Sequence, residues 1–350
     1  LVGNTGHPED FKWGFLAACI GMILGATVFQ IFKNKYICDP DGNPVGVAPQ
    51  RSASTAQQSE TSSQKSTSRT LLMLGSTLLL TLLFSINWNA DSAHLFADAD
   101  WIGSLIYATT IVMPVIIITD HSLSRHEKLR IGVIYIIAFF VIFFWAAYEQ
   151  AGASLTLFAA EQTDRTILGW EMPASWIQSF NPFFVVILAA IMPSVWGALN
   201  KRGMEPASPT KQAIGLLLLS LGYLVICFGV KDVQPGVKVS LIWLTGLYFI
   251  HTMGEIALSP IGLSMVNKLT PVRFASLMMG IWYLSTSTAN KFAGTLGGLY
   301  PEDGKVKTLL GFRIETMFDF FMVFVIMSGV ASLILFLLSK KLQKMMHGVE

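Results

Sequence analysis

Three polar side chains recur at one-turn intervals in the segment HTMGEIALSPIGLS, and they are the clearest candidates for chemistry. His251, Glu255 and Ser259 are four residues apart, and side chains at that spacing lie on the same face of an α-helix. Glu255 stands in the middle of an apolar stretch, where a charge costs about 2.5–3.5 kcal/mol on insertion scales. Such a carboxyl group is suited to carrying a proton or to binding a cationic group. The alternative is a structural hydrogen bond to His251 or Ser259.

Three further residues are candidates for a functional role because they interrupt, open or close apolar runs. Glu149 ends the run IIAFFVIFFWAAYEQAGASL, with Trp145 one turn earlier; we favour a functional role, and an interfacial glutamate is the alternative. Lys291 lies in STSTANKFAGTLGG, where we expect its side chain to extend to the membrane surface rather than pair with an acidic group. Asn181 opens a span before Pro182 and is equally well explained as a helix cap.

These residues must be positioned by membrane-spanning helices. The chain is 53% hydrophobic and only 13% charged, about half the charge of a typical soluble domain. A span needs about 20 apolar residues, since only a helix satisfies its own backbone groups in hydrocarbon. The hydropathy pattern predicts nine spans, at residues 13–32, 70–88, 101–119, 131–155, 180–199, 212–230, 240–262, 275–298 and 316–338.

The distribution of basic residues predicts the orientation. Sixteen of the 24 Lys and Arg residues fall in the segments on the side of the C-terminus, and seven fall on the other side. By the positive-inside rule, the C-terminus is cytoplasmic and residue 1 lies outside. The net charge of +2 gives no reason to expect a nucleic-acid partner. Residues 39–69 are rich in Ser, Thr, Gln and Pro, which predicts a flexible cytoplasmic linker.

Three long motifs resemble the proton-dependent oligopeptide transporter (POT/PTR) family, a branch of the major facilitator superfamily. They are FFWAAYEQAGASL, SFNPFFVVILAAIMPSVW and GEIALSPIGLSMVNKLTPVRFASLMMGIWYLSTSTANKFAG. The family fold is all-α, with twelve spans in two six-helix halves, and bacterial members often insert two helices between the halves. The resemblance implies that this chain is the C-terminal portion of a bacterial inner-membrane transporter. Residues 1–38 then hold the last helix of the N-terminal bundle, 70–120 the two inserted helices, and 121–350 the C-terminal six-helix bundle.

The resemblance also implies roles for single residues. Glu255 matches the acidic group that receives the amino terminus of a di- or tripeptide, and Asn181 matches the Asn that assists it. Glu149 matches a carboxylate of proton coupling, and Trp145 and Trp282 match aromatic pocket residues. We also predict that Thr286, one turn after Trp282, and Ser259 bind substrate. We predict that His251 takes part in proton coupling together with Glu149 and Glu255. The remaining site residues of the family belong to the N-terminal half, so the resemblance predicts that half as a partner, beside peptide, protons and lipid.

Two alternatives remain open. An intramembrane serine protease would use Ser154 of the Gly-Ala-Ser motif with His251 as its base. A symporter of another small solute would use the same fold, but a carrier of anions alone would not place Glu255 against its substrate. The sequence contains no metal-binding or nucleotide-binding motif, so we expect neither a metal ion nor a cofactor.

Overall fold

The computed structural model describes residues 11–36, 59–86, 99–231, 233, 237–301 and 305–348. The chain divides into two units, one up to Ser68 and the other from Arg69 onward. The first unit contains helix α1, and the second contains all the remaining helices except the first residues of α2. Residues 39–58 of the predicted linker lie outside the described residues.

Ten α-helices and six very short strands make up the described parts of the chain. The helices are α1 (Phe11–Tyr36), α2 (Ser59–Ser85), α3 (Trp101–Ile118), α4 (Arg125–Tyr148), α5 (Ser154–Glu161), α6 (Phe180–Lys201), α7 (Ser208–Val230), α8 (Leu241–Leu269), α9 (Ala275–Gly297) and α10 (Met317–Met345). The strands form three pairs in the connections between helices: β1 (Thr163–Asp164) with β4 (Val239–Ser240), β2 (Thr166–Ile167) with β3 (Trp170–Glu171), and β5 (Lys307–Leu309) with β6 (Phe312–Ile314).

Each of the nine predicted spans coincides with a helix. Within the described residues, seven helical segments are long and apolar enough to cross a membrane. They contain α1, α3, α4 with α5, α6, α7, α8 and α10. The apolar part of α2, Thr70–Ser85, is shorter. Helix α9 is more polar, because a run of Ser and Thr is followed by Asn290 and Lys291. The all-α membrane fold predicted from the sequence is therefore confirmed.

Two boundaries differ from the prediction. Residues 131–155 were expected to form one span, but α4 ends at Tyr148 and a 3₁₀ turn, Glu149–Gly152, precedes α5. The side-chain amide of buried Gln150 donates to the carbonyl of Ala146 at 3.1 Å and satisfies an acceptor at the end of α4. Helix α2 begins at Ser59, so residues 59–69 of the predicted linker are helical.

Glycines bring α7 and α8 close together and thereby fix the position of α8. Gly215, Gly222 and Gly229 are seven residues apart and therefore lie on one face of α7. A Cβ atom at Gly215 would lie 3.0 Å from the carbonyl oxygen of Gly254, and one at Gly222 would lie 2.3 Å from the ring of His251. The backbones approach closely only because these side chains are absent, as is common between membrane helices.

Candidate functional site

The carboxylate of Glu255 is held by donors from two other helices. The hydroxyl of Tyr148, the last residue of α4, donates to Oε2 of Glu255 at 2.5 Å. The side-chain amide of Asn181, in the first turn of α6, donates to the same oxygen at 2.8 Å. Hydrogen bonds to a charged group are among the stronger ones in proteins. Helices α4, α6 and α8 therefore meet at this half-buried carboxylate.

Asn181 does not cap its helix. The N-cap of α6 is Ser179, and no side-chain hydrogen bond caps the helix there. The Asn181 amide instead points to α8, where it also donates to the hydroxyl of Thr252 at 3.2 Å, and it makes a short contact with the Tyr148 hydroxyl. Pro182 follows at a position in the first turn where its missing N–H is no loss. The structure thus argues against the helix-cap interpretation of Asn181, and its role in substrate binding stays a prediction.

Tyr148 and Thr252 were not predicted as site residues. The Tyr148 ring stacks on Phe144 at a centroid distance of 5.5 Å and meets the edge of Trp145 at 5.3 Å. Trp145, the predicted pocket wall, therefore supports the hydroxyl that binds Glu255. One signal was present in the sequence: Tyr148 lies beside Glu149 and one turn after Phe144 and Trp145, so its ring had to share their face.

Glu149 lies near the same cluster. It begins the 3₁₀ turn after α4, directly after Tyr148, whose hydroxyl donates to Glu255, and its side chain is exposed. The predicted role of Glu149 in proton coupling is untested.

His251 forms its hydrogen bond with α7 and not with Glu255. It is 3% exposed and its Nε2 lies 3.1 Å from the carbonyl oxygen of Leu219 on α7. Its ring lies 6.2 Å from the ring of Tyr148, the residue whose hydroxyl binds Glu255. The structure therefore does not show the structural hydrogen bond between His251 and Glu255 that was the alternative interpretation. Ser259, one further turn along α8, is half-buried.

The predicted aromatic residue of α9 lies apart from the carboxylate. Trp282 is 5% exposed, and a Cβ atom at Gly262 would lie 2.4 Å from its ring. Gly262 is seven residues beyond Glu255, which is about 10 Å along α8. Thr286 is half-buried one turn further along α9. The structure therefore brings together Glu255, Asn181, Trp145 and Glu149, but it places Trp282 in a helix contact.

Lys291 pairs with an acidic side chain, contrary to the prediction. Its Nζ forms an ion pair with Asp100, which also accepts from the backbone N–H of Gly103 and caps α3. The lysine is therefore paired with the residue that caps the start of an adjacent helix. Both groups are partly exposed, so water screens the pair and its contribution to stability is small.

The serine-protease alternative lacks its dyad. The hydroxyl of Ser154 donates to the side-chain oxygen of Gln150 at 2.6 Å, and His251 contacts the carbonyl of Leu219. A nucleophile and its base must lie within hydrogen-bond reach of each other. Within the described residues there is also no group of three or more His, Cys, Asp or Glu side chains that could hold a metal ion.

The family is decided by comparison with known proteins. The sequence profile of the POT family matches residues 3–309. The chain belongs to the POT family. POT proteins are transporters and not enzymes, so the family assignment and the geometry of Ser154 agree. The chain is a multi-pass membrane protein.

Individual POT relatives are similar over most of this chain. Peptide transporter YePEPT from Yersinia enterocolitica is 29% identical over 305 residues, which are 87% of this chain and 58% of that protein. Dipeptide and tripeptide permease A from Citrobacter koseri is 32% identical over 218 residues, 62% of this chain and 43% of that protein. The crystal structure of a peptide transporter POT in complex with sulfate has a TM-score of 0.70 and 26% identity, and the match covers 99% of this chain and 65% of that one.

The chain spans less than two thirds of the length of these POT relatives.

Proposed function

We propose that this chain is the C-terminal part of a proton-coupled symporter that imports di- and tripeptides by alternating access. Helix α1 then belongs to the N-terminal six-helix bundle, α2 and α3 are the inserted helices, and α4 and α6–α10 form the C-terminal bundle. The missing N-terminal half is its partner. The protein lies in the inner membrane with residue 1 outside and the C-terminus in the cytoplasm, as the distribution of Lys and Arg favours.

One observation carries the proposal. Both described hydrogen bonds of the Glu255 carboxylate use the same oxygen, Oε2. Tyr148 and Asn181 thereby fix the carboxylate, while Oε1 has no hydrogen bond among the described residues and can accept from an ammonium group. A half-buried carboxylate held in this way provides one end of a site for a zwitterion. Relatives named "Di-/tripeptide transporter" in Lactococcus lactis, 25% identical over the whole of this chain, support a peptide as the zwitterion.

Proton coupling is inferred from the two carboxylates. Glu149 directly follows Tyr148, whose hydroxyl donates to Glu255, and two neighbouring carboxylates repel each other less when a proton or a cation is bound beside them. Binding of a peptide ammonium group and binding of a proton are thereby linked. A proton moving down 100 mV contributes about 2.3 kcal/mol to the transport cycle.

The test is uptake by the full-length transporter that contains this chain. We expect Glu255→Gln to abolish dipeptide uptake without affecting folding or insertion, because the amide retains the shape but not the charge. Glu315→Gln is the matched control, since Glu315 pairs with Arg313 at an exposed position. An N-acetylated dipeptide, which lacks the ammonium group, should not compete with the dipeptide for uptake by the unmodified protein.

Three results would overturn the proposal. Normal uptake by the Glu255→Gln variant would show that the carboxylate does not bind the ammonium group. If the acetylated dipeptide competes as well as the dipeptide, the ammonium group of the substrate is not needed for binding. Uptake that survives a protonophore and follows sodium would exclude proton coupling.

A further inference from the structure

Two β-hairpins in different connections between helices share one sequence pattern. The segment TILGWE (166–171) forms β2 and β3 between α5 and α6, and TLLGFR (308–313) forms the centre of β5 and β6 between α9 and α10. In each hairpin two residues join the strands, Leu168-Gly169 in one and Leu310-Gly311 in the other. We refer to them as the Leu168 hairpin and the Leu310 hairpin. The predicted orientation places both on the outer side.

The backbone of both turns is unfavourable for leucine. The φ angles are +51° at Leu168 and +81° at Gly169, and +48° at Leu310 and +85° at Gly311. Positive φ at both central residues belongs to the type I′ turn, in which Asn or Asp usually precedes the glycine. Leucine lacks the short polar side chain that eases this conformation in Asn and Asp. The turn itself therefore gives no reason for a leucine at either position.

The leucine side chains are also fully exposed. Their relative exposures are 103% for Leu168 and 102% for Leu310, and the aromatic residue after each glycine is partly exposed, at 51% for Trp170 and 40% for Phe312. Single exposed apolar residues are ordinary. Here, however, an unfavourable backbone and an unfavourable contact with water coincide at one residue, and the coincidence is repeated. An apolar partner at the two tips would offset both costs.

The rings of two tryptophans give the level of the Leu168 hairpin relative to the membrane. Trp176 lies at the start of the apolar helical segment Ala174–Lys201, and tryptophan is enriched at the level of the lipid headgroups. The centre of the Trp170 ring lies 5.5 Å from that of Trp176. Leu168 is two residues from Trp170, so their Cα atoms are at most about 7 Å apart. The tip of this hairpin therefore lies close to the headgroups.

What the two hairpins share is a position beside the outer end of a span. The Leu168 hairpin precedes α6, and Phe312 of the Leu310 hairpin lies five residues before α10 begins at Met317. A protein partner would have to offer two separate apolar sites, one for each tip. The bilayer offers the same apolar surface beside every span, and lipid adapts its shape to a protruding tip.

We propose that both hairpins insert their leucine tips into the outer leaflet of the membrane, with Trp170 and Phe312 at the level of the headgroups. Apolar and aromatic side chains of an interfacial segment bind the boundary between headgroups and acyl chains in this way. Interfacial anchors contribute to the tilt and rotation of the spans beside them, so the hairpins would fix the depth of the outer ends of α6 and α10. Neither hairpin belongs to the Glu255 cluster, and the outcome does not bear on the proposed transport function.

The experiment measures which quencher reaches a fluorophore at each tip. The full-length protein, without other cysteines, carries Leu168→Cys or Leu310→Cys labelled with an environment-sensitive dye and is reconstituted in phosphatidylcholine nanodiscs. We expect blue-shifted emission, loss of emission when the lipid carries a nitroxide on its acyl chain, and protection from iodide in the water. The matched control is Lys238→Cys, an exposed position in the outer connection between α7 and α8, where iodide should quench and the nitroxide lipid should not.

A second pair of variants tests whether the leucine itself is the anchor. The dye is placed at Ile167→Cys, and Leu168 is changed to Asn or to Met. Asn suits the type I′ turn, so the hairpin should keep its fold. The Asn variant should lose quenching by the nitroxide lipid, whereas the Met variant should retain it.

Three results would overturn the proposal. A tip label that iodide reaches as readily as the Lys238 control would show that the tip is in water. A label that neither quencher reaches would show that protein covers it. Equal quenching by the nitroxide lipid in the Asn and Met variants would show that the leucine does not anchor the hairpin.

Discussion

Replacing Tyr148 by Phe removes a single hydroxyl group from the cluster around Glu255. The ring itself should stay in place, because it stacks on Phe144 and meets the edge of Trp145. The lost interaction is a 2.5 Å hydrogen bond to a carboxylate, and hydrogen bonds to charged groups contribute about 1.5–3 kcal/mol. This corresponds to a loss of roughly 10- to 150-fold in kcat/KM.

We expect the lower end of this range for Tyr148→Phe. Asn181 still donates to the same oxygen at 2.8 Å, so the carboxylate keeps one of its two described donors. The loss should appear mainly as a higher KM for dipeptide, since in the proposed function the hydroxyl orients the carboxylate that binds the substrate. Initial rates of dipeptide uptake into proteoliposomes, measured over a range of peptide concentrations, separate KM from kcat.

Tyr135→Phe provides a matched control on the same helix. The Tyr135 hydroxyl is buried and has no hydrogen-bond partner in the structure, so its removal should leave both KM and kcat unchanged. If Tyr148→Phe transports as well as Tyr135→Phe, with both proteins equally stable, then the hydroxyl does not position Glu255. The reasoning about the fixed carboxylate would then be refuted.

Two further predictions concern stability. Gly262→Ala should destabilise the protein by about 1–3 kcal/mol, because the new Cβ would lie 2.4 Å from the ring of Trp282. The measurement is a lower Tm. An unchanged Tm would show that α8 and α9 can separate at this point without a loss of stability. The hydrogen bond from Lys291 and the backbone N–H of Gly103 hold the pKa of Asp100 below its ordinary value of 3.8. The stabilisation from Asp100 is therefore complete above that pH and is lost as the pH falls below it. Asp100→Asn should accordingly make the stability of the protein less dependent on pH in the acid range. An identical profile of Tm against pH for the two proteins would contradict this.

The helices could be predicted well because membrane insertion depends on local composition. Every predicted span matches a helix, since about 20 apolar residues in sequence are sufficient to define one. The exception within 131–155 has a tertiary cause. The chain leaves helical geometry after Tyr148, where Gln150 donates both to Ala146 on its own helix and to Ala293 on α9. A partner more than a hundred residues away does not register in a hydropathy pattern.

The site was predicted in part for a similar reason. Glu255 was recognisable because an isolated carboxyl group in an apolar stretch is costly wherever it points. The partner of that group could not be read from the spacing, which suggested His251 on the same helix rather than Tyr148 and Asn181 on two others. Lys291 shows the same limit, because its acidic partner, Asp100 at the start of α3, is far from it in the sequence.

The buried amide of Gln150 has a mechanical consequence. It donates to the carbonyls of Ala146 and Ala293 and accepts from the hydroxyl of Ser154, so it joins the end of α4 to α9. A tilt of α4 without a matching movement of α9 would break the hydrogen bond to Ala293. Each buried polar group left without a partner would cost about 1–3 kcal/mol of stability. We therefore expect α4 and α9 to move together as one rigid unit. The carboxylate of Glu149, one residue before Gln150, would move with them.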